Sequence, residues 1–194
     1  MGLIAKLKEL FSAKRYIIKA MEEQDRKNER FAAMTADELL ALPDDDLCPA
    51  ILYRIDKELD STLGKRKKGT PAEWAQSLNH AKRVLYTLSY AEADIQNSGV
   101  LYFLVGNGGF ARFVSDALHE IGAEEHQSLF DQFVTDSGLE LSDLPDLSPE
   151  NDPESQNAAL YRKMEAFDRS YRALPALDIP FAHYIREHIA ELAE

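Results

Sequence analysis

Apolar residues recur at helical spacing over almost the whole chain, and the polar residues between them carry helix start and stop signals. Leu3, Leu7, Leu10, Phe11, Ile18 and Met21 line one face of a long N-terminal amphipathic segment, expected to pack on its own domain or on a second copy. Thr35 with Glu38 forms a capping box before Leu39, Leu40 and Leu42, and Pro43 with the Asp44-Asp45-Asp46 triplet ends that short helix. Another helix is predicted from about Cys48 to Leu63. After the basic loop Gly64 to Gly69, Thr70-Pro71-Ala72-Glu73 unites an N-cap, a proline at the first helical position and a capping box. From Trp74 the positions Leu78, Ala81, Leu85 and Leu88 continue one helical face, until Asn97-Ser98-Gly99 interrupts it.

The run Val100 to Val105 suits a buried strand or a buried helix; with helices on both sides and no strand to pair with, a helix is expected. Gly106-Asn107-Gly108-Gly109 reads as a tight turn, because glycine and asparagine tolerate positive φ. Phe110, Phe113, Val114, Ala117, Leu118 and Ile121 form the inner face of a helix ending near Gly122. Helices resume at Leu160, Met164, Phe167 and Tyr171, then at Phe181, Tyr184, Ile185, His188, Ile189 and Leu192 with Pro180 as first helical residue. The pattern predicts an all-α fold: a single compact domain of about seven or eight helices, which 194 residues can supply with a sizeable core. Residues 1–30 form an N-terminal basic amphipathic helix and residues 31–194 an acidic helical domain.

Charge sharpens this division. The chain holds 22 Lys and Arg against 34 Asp and Glu, a formal net charge of −12, which disfavours direct binding to nucleic acid or an anionic membrane. Residues 1–30 hold eight basic and five acidic residues and so run against the rest. Between Phe113 and Tyr161, 49 residues carry twelve Asp or Glu and no Lys or Arg. The first part of this stretch reads as the wet face of core helices. From Thr135 to Asn157, Pro145, Pro149 and Pro153 forbid a continuous helix, so a long acidic loop is expected, pinned to the body by Leu139, Leu141, Leu144 and Leu147. Its carboxylates, Asp136, Glu140, Asp143, Asp146, Glu150, Asp152 and Glu154, are the candidate partner-binding residues. A basic arm and an acidic body in one chain can associate head to body, so a homodimer is expected.

Other chemistry finds little support. His119 and His126 are seven apart with a glycine between, unlike the one-turn spacing of a His-Glu-x-x-His zinc helix. His183 and His188 fall about 140° apart on a helix and do not converge, so all four histidines read as solvated or interfacial. The single Cys48 precedes Pro49 without a fixed His partner and reads as a buried thiol; one cysteine excludes an intramolecular disulfide and fits a reducing cytoplasm. Four consecutive cations at Lys65 to Lys68 lack interleaved aromatics and read as a solvated loop. No run of about 18 apolar residues spans a membrane, and charges break any secretory apolar core. No catalytic residue, metal ligand or cofactor is assigned, and the expectation is a non-enzymatic cytoplasmic protein.

The run Glu92-Ala93-Asp94-Ile95-Gln96-Asn97-Ser98-Gly99-Val100-Leu101-Tyr102-Phe103, followed by Ala117-Leu118-His119-Glu120-Ile121-Gly122-Ala123, resembles the signature of the bacterial DNA-mimic-protein-like family. That family shows an acidic residue, Asn-Gly-Gly-Phe, a Gln and aromatic pair, and a turn ending in Ile-Gly-Ala. Ser98 stands for the first Gly, Val100 for the Phe and Tyr102 for the Gln, while an intact Asn107-Gly108-Gly109-Phe110 follows, so two stretches compete for the motif. The distance to Ile121-Gly122-Ala123 favours the earlier one. Phe167-Asp168-Arg169-Ser170-Tyr171 and Tyr184-Ile185-Arg186-Glu187-His188 also resemble the family, which extends the likeness over about residues 72–194.

Physically, the Asn-Gly break lets two helices approach closely, with Asn97 expected to cap the second; neither Glu92 nor Asn97 has an evident His or Cys partner. The resemblance implies that the carboxylates imitate duplex phosphates and occupy the basic groove of a DNA-binding protein, such as a transcription regulator. The same surface would serve an immunity protein against a basic toxin. An enzyme or metal binder ranks last, because no acid, base or ligand set converges.

Overall fold

The computed structural model describes residues 3–64, 67–144, 147 and 157–194, and for residues 3–17 the backbone alone. The first helix, α1 (Leu3–Ala33), packs against α3 (Asp44–Leu63), and Phe31 near its end is buried. Farther out Ile18 is 45% and Met21 61% exposed, so this part of its apolar face is not covered by the chain's own body. The Leu3, Leu7, Leu10 and Phe11 side chains lie outside the described residues.

Local capping signals set several boundaries. Thr35 and Glu38 close the expected capping box on α2 (Ala36–Leu40), and Thr70 with Glu73 closes the second on α4 (Pro71–Trp74), with Pro71 in its first turn. Two boundaries in the first half of the chain differ from expectation. The aspartate triplet does not end α2; it forms the first turn of α3, where carboxylates complement the exposed N–H groups and helix dipole. The face from Trp74 is also not continuous. A 3-10 turn (Ala75–Ser77) and extended Leu78 intervene before α5 (His80–Ser98), which begins where Asn79 accepts a 2.9 Å bond from the Lys82 N–H.

Helix α5 is the centre of the domain. It packs against α3, α6 (Val100–Asn107), α7 (Ala111–Glu120), α9 (Ala158–Tyr171) and α11 (Ile189–Ala193), and buries Leu85, Leu88 and Ile95 almost completely. Val100 to Val105 is helical. Gly122, at φ +72°, ends α7, and the Ala123 N–H closes the turn on the Leu118 carbonyl at 2.9 Å. The outer pair α8 (Glu124–Ser137) and α9 packs through Phe130, Phe133 and Phe167. Between them the described residues form no helix; Leu147 is buried, and Leu139, Leu141 and Leu144 pack half-buried on the core, as the pinning expectation required. Pro180 is the third residue of α10 (Asp178–Glu187) rather than its first.

The result is a single all-α domain without strands among the described residues. Eight of its described helices, α1, α3 and α5 to α10, reach eight residues or more; α2, α4 and α11 are single turns.

Candidate partner-binding surface

Only Gly99 separates α5 from α6, and the reversal of direction there needs glycine twice over. Its φ is +95°, and a Cβ would lie 2.3 Å from Asp168 Oδ2. Asp168, on α9, accepts the Val100 N–H at 2.8 Å and so caps α6. Arg172 donates to the Gln96 carbonyl at 3.1 Å and the Ile95 carbonyl at 3.2 Å, which satisfies the end of α5. Thus α9 clamps both helix ends. Asn97 does not cap α6 as expected; its amide donates to the Ala93 carbonyl at 2.7 Å, because a carboxylate from elsewhere in the chain already holds the capping position. Burial raises the Asp168 pKa, while the Val100 N–H and Arg172 pull it down.

The second glycine stretch works differently from its sequence reading. Gly108 and Gly109 form a 3-10 turn at ordinary negative φ, and they are needed for space: a Cβ would lie 2.6 Å from Leu144 Cδ1 or 2.9 Å from Ala72 Cβ respectively. Asn107 donates to Asp94 Oδ2 at 2.7 Å, and Phe110 is buried, stacked on Tyr90 at 5.3 Å between ring centroids.

Glu92 acquires one partner from its own helix and one that sequence spacing could not show. Tyr171 donates to its Oε2 at 2.5 Å and Gln96 to its Oε1 at 3.2 Å, and buried His126 packs edge-on to Tyr171 at 5.1 Å. Burial lowers the His126 pKa, against the opposing pull of Glu92 and Glu125; burial and the Glu92 charge push Tyr171 up. The reading of His126 as solvated or interfacial is therefore corrected, and three helices meet at this closed group. His119 is exposed, His183 faces Glu187 at 3.6 Å, and His188 faces Glu191 at 3.3 Å. The Cys48 thiol is pushed up to about 11, first by burial and then by Asp178.

The acidic surface is built on α7 and α8. His126, Phe130 and Phe133 are the buried side of α8. At about 100° per residue, Glu124 and Asp131 align in one row and Glu125 and Asp136 in another, about 120° round, so two rows flank the exposed side. All four are exposed, as are Asp116 on α7 and Glu140 and Asp143 beyond α8. None of these seven carboxylates forms an ion pair among the described residues. Lys163 reaches Asp136 but donates to its backbone carbonyl, and the neighbouring Glu120 is held by His80 at 2.7 Å. Elsewhere several acids are matched: Lys27 with Asp46 at 2.6 Å, Lys57 with Glu29 at 3.1 Å, Lys82 with Glu58 at 2.6 Å, and Arg186 with Asp44 at 2.7 Å.

Of the candidate loop carboxylates, Asp136, Glu140 and Asp143 are therefore exposed and without an ion pair among the described residues, while Asp146, Glu150, Asp152 and Glu154 lie outside them. Sequence reasoning gave Glu124, Glu125 and Asp131 as the wet face of a core helix, and they are exposed; it did not single out their alignment in rows, for which the missing cations around them were the available signal. It also overstated the solvation of the basic loop, because Lys67 folds onto Asp60 at 2.9 Å and lies 5.1 Å from the Trp74 ring centroid. Lys65 and Arg66 lie outside the described residues. Among the described residues, no cluster of three His, Cys, Asp or Glu is arranged to hold a metal, and no helix is long and apolar enough to cross a membrane.

Neither a curated protein nor a solved structure matches the chain. The sequence model described as DMP19-like protein matches residues 76–188, from the turn before α5 through α10, and so takes in the Gly99 junction and the α7–α8 acidic face. With more than half of its 194 residues matched, the chain belongs to the DMP19-like protein family.

Proposed function

We propose that this protein is a cytoplasmic DNA mimic, which occupies the basic nucleic-acid-binding surface of a partner such as a transcription regulator. The observation that carries the reading is the double row of carboxylates on α8 that form no ion pair among the described residues, continued by Asp116, Glu140 and Asp143. Carboxylates without internal cations keep their field, which draws a basic partner in quickly and favours the groove that otherwise holds phosphates. Membership of a family of DNA mimic proteins supports the same reading. Within it we take the earlier stretch, Glu92 to Phe103, as the family motif, with a structural role at the Gly99 junction.

The experiment is competition. A basic protein captured by the immobilised chain should bind duplex DNA when free, and DNA should displace it in proportion to concentration. A stable ternary complex with DNA would sink the mimic reading. A captured toxin without nucleic-acid affinity, silenced by the complex, would replace it with the immunity-protein reading.

A further inference from the structure

A cleft of about 410 Å³ opens between α5 and α7, with the 3-10 turn that precedes each of them contributing to its walls. Val84, Phe110, Phe113 and Ala117 give it an apolar lining. Its polar lining includes Thr87, only 1% exposed, and Asp116, which is exposed and forms no ion pair among the described residues. The His80–Glu120 pair fixes one end at 2.7 Å, and Arg83 lies 3.3 Å from the other nitrogen of that imidazole. Asp116 is one helical turn from Glu120 toward Phe113, so the free negative charge stands beside the aromatic lining.

We propose that this cleft receives an arginine side chain of the basic partner. The assignment rests on the acidic-surface reading and adds the chemistry of its anchor. An arginine combines an apolar stem, which suits Val84 and Ala117, with a planar guanidinium that stacks on aromatic rings and pairs with a carboxylate through two N–H groups. The Phe113 ring is already such a platform: the exposed Arg112, which does not line the cleft, holds its guanidinium 4.5 Å from the ring centroid. A buried arginine anchor beside a polar rim is also where binding energy concentrates in protein interfaces. The carboxylates of α8 then steer the partner, and the cleft holds it.

The test needs no partner protein. Amide NMR of the full chain is followed while N-acetyl-arginine amide is added, with the uncharged isostere N-acetyl-citrulline amide as control. Saturable shifts at Val84, Thr87 and Phe113 with a Kd of about 1 mM, weakened about tenfold for citrulline and in Asp116→Asn, support the assignment. Equal responses to the two probes, a response undiminished in Asp116→Asn, or no saturable response overturns it. DNA displacement of a captured protein reads the acidic surface separately, so either result can fail while the other stands.

Discussion

The carboxylates at the Gly99 junction and those on α8 are the same chemical group in two opposite situations. At the junction Glu92, Asp94 and Asp168 are each committed: to Tyr171 and Gln96, to Asn107, and to the Val100 N–H. On α8, Glu124, Glu125, Asp131 and Asp136 are exposed and form no ion pair among the described residues, Lys163 bonding the Asp136 backbone carbonyl and not its carboxylate. A committed carboxylate spends its charge locally and stabilises a helix end. An uncommitted one leaves its charge to be felt within about a Debye length, roughly 8 Å in physiological salt. The contrast lies between a carboxylate that holds two helix ends together and one that keeps its charge for the solvent, both within one family-matched region.

The largest effect should come from reversing the second set. Glu124→Lys, Glu125→Lys, Asp131→Lys and Asp136→Lys together should weaken partner capture on the order of 100-fold, while urea unfolding shifts by no more than about 1 kcal/mol. Wild-type capture should itself collapse at about 0.5 M salt; capture that ignores both changes breaks the distinction. The first set should behave inversely. Gly99→Ala meets both the positive φ and the Asp168 oxygen, and should cost about 2 to 3 kcal/mol in urea titration with the salt slope of capture unchanged. Asp168→Ala leaves the buried Val100 N–H without its acceptor and should cost about 1 to 2 kcal/mol.

The smallest effect is one of pH. His126 has its pKa lowered in the fold from an ordinary 6.5, so below that value the unfolded chain takes up a proton that the folded chain refuses. Stability should therefore fall as pH drops through 6.5 toward the lowered folded value, and His126→Phe should flatten that slope between about pH 7.5 and 5.5. An unchanged slope would mean that acidification acts through other groups.

Much of the fold was legible because its signals are local. Thr35 with Glu38 and Thr70 with Glu73 act across three residues, and both capping boxes form as read. The missed break at Leu78 also had a local signal, Asn79, hidden by an apolar face that continued through it. The candidate site was legible only in part. A stretch without Lys or Arg was visible, but its weight was placed on the proline-rich segment, whereas α8 presents the described rows.

The sequence by itself determined the helical class, several helix starts and the absence of cations between Phe113 and Tyr161, since each depends on residue type and near neighbours. Only tertiary structure decided which carboxylates are spent. Asp168 meets Val100 across 68 positions and Tyr171 meets Glu92 across 79, contacts that exist because α9 packs against the α5–α6 junction. Whether a charge is neutralised depends on distance in space, and no spacing along the chain can report that for helices brought together by the core.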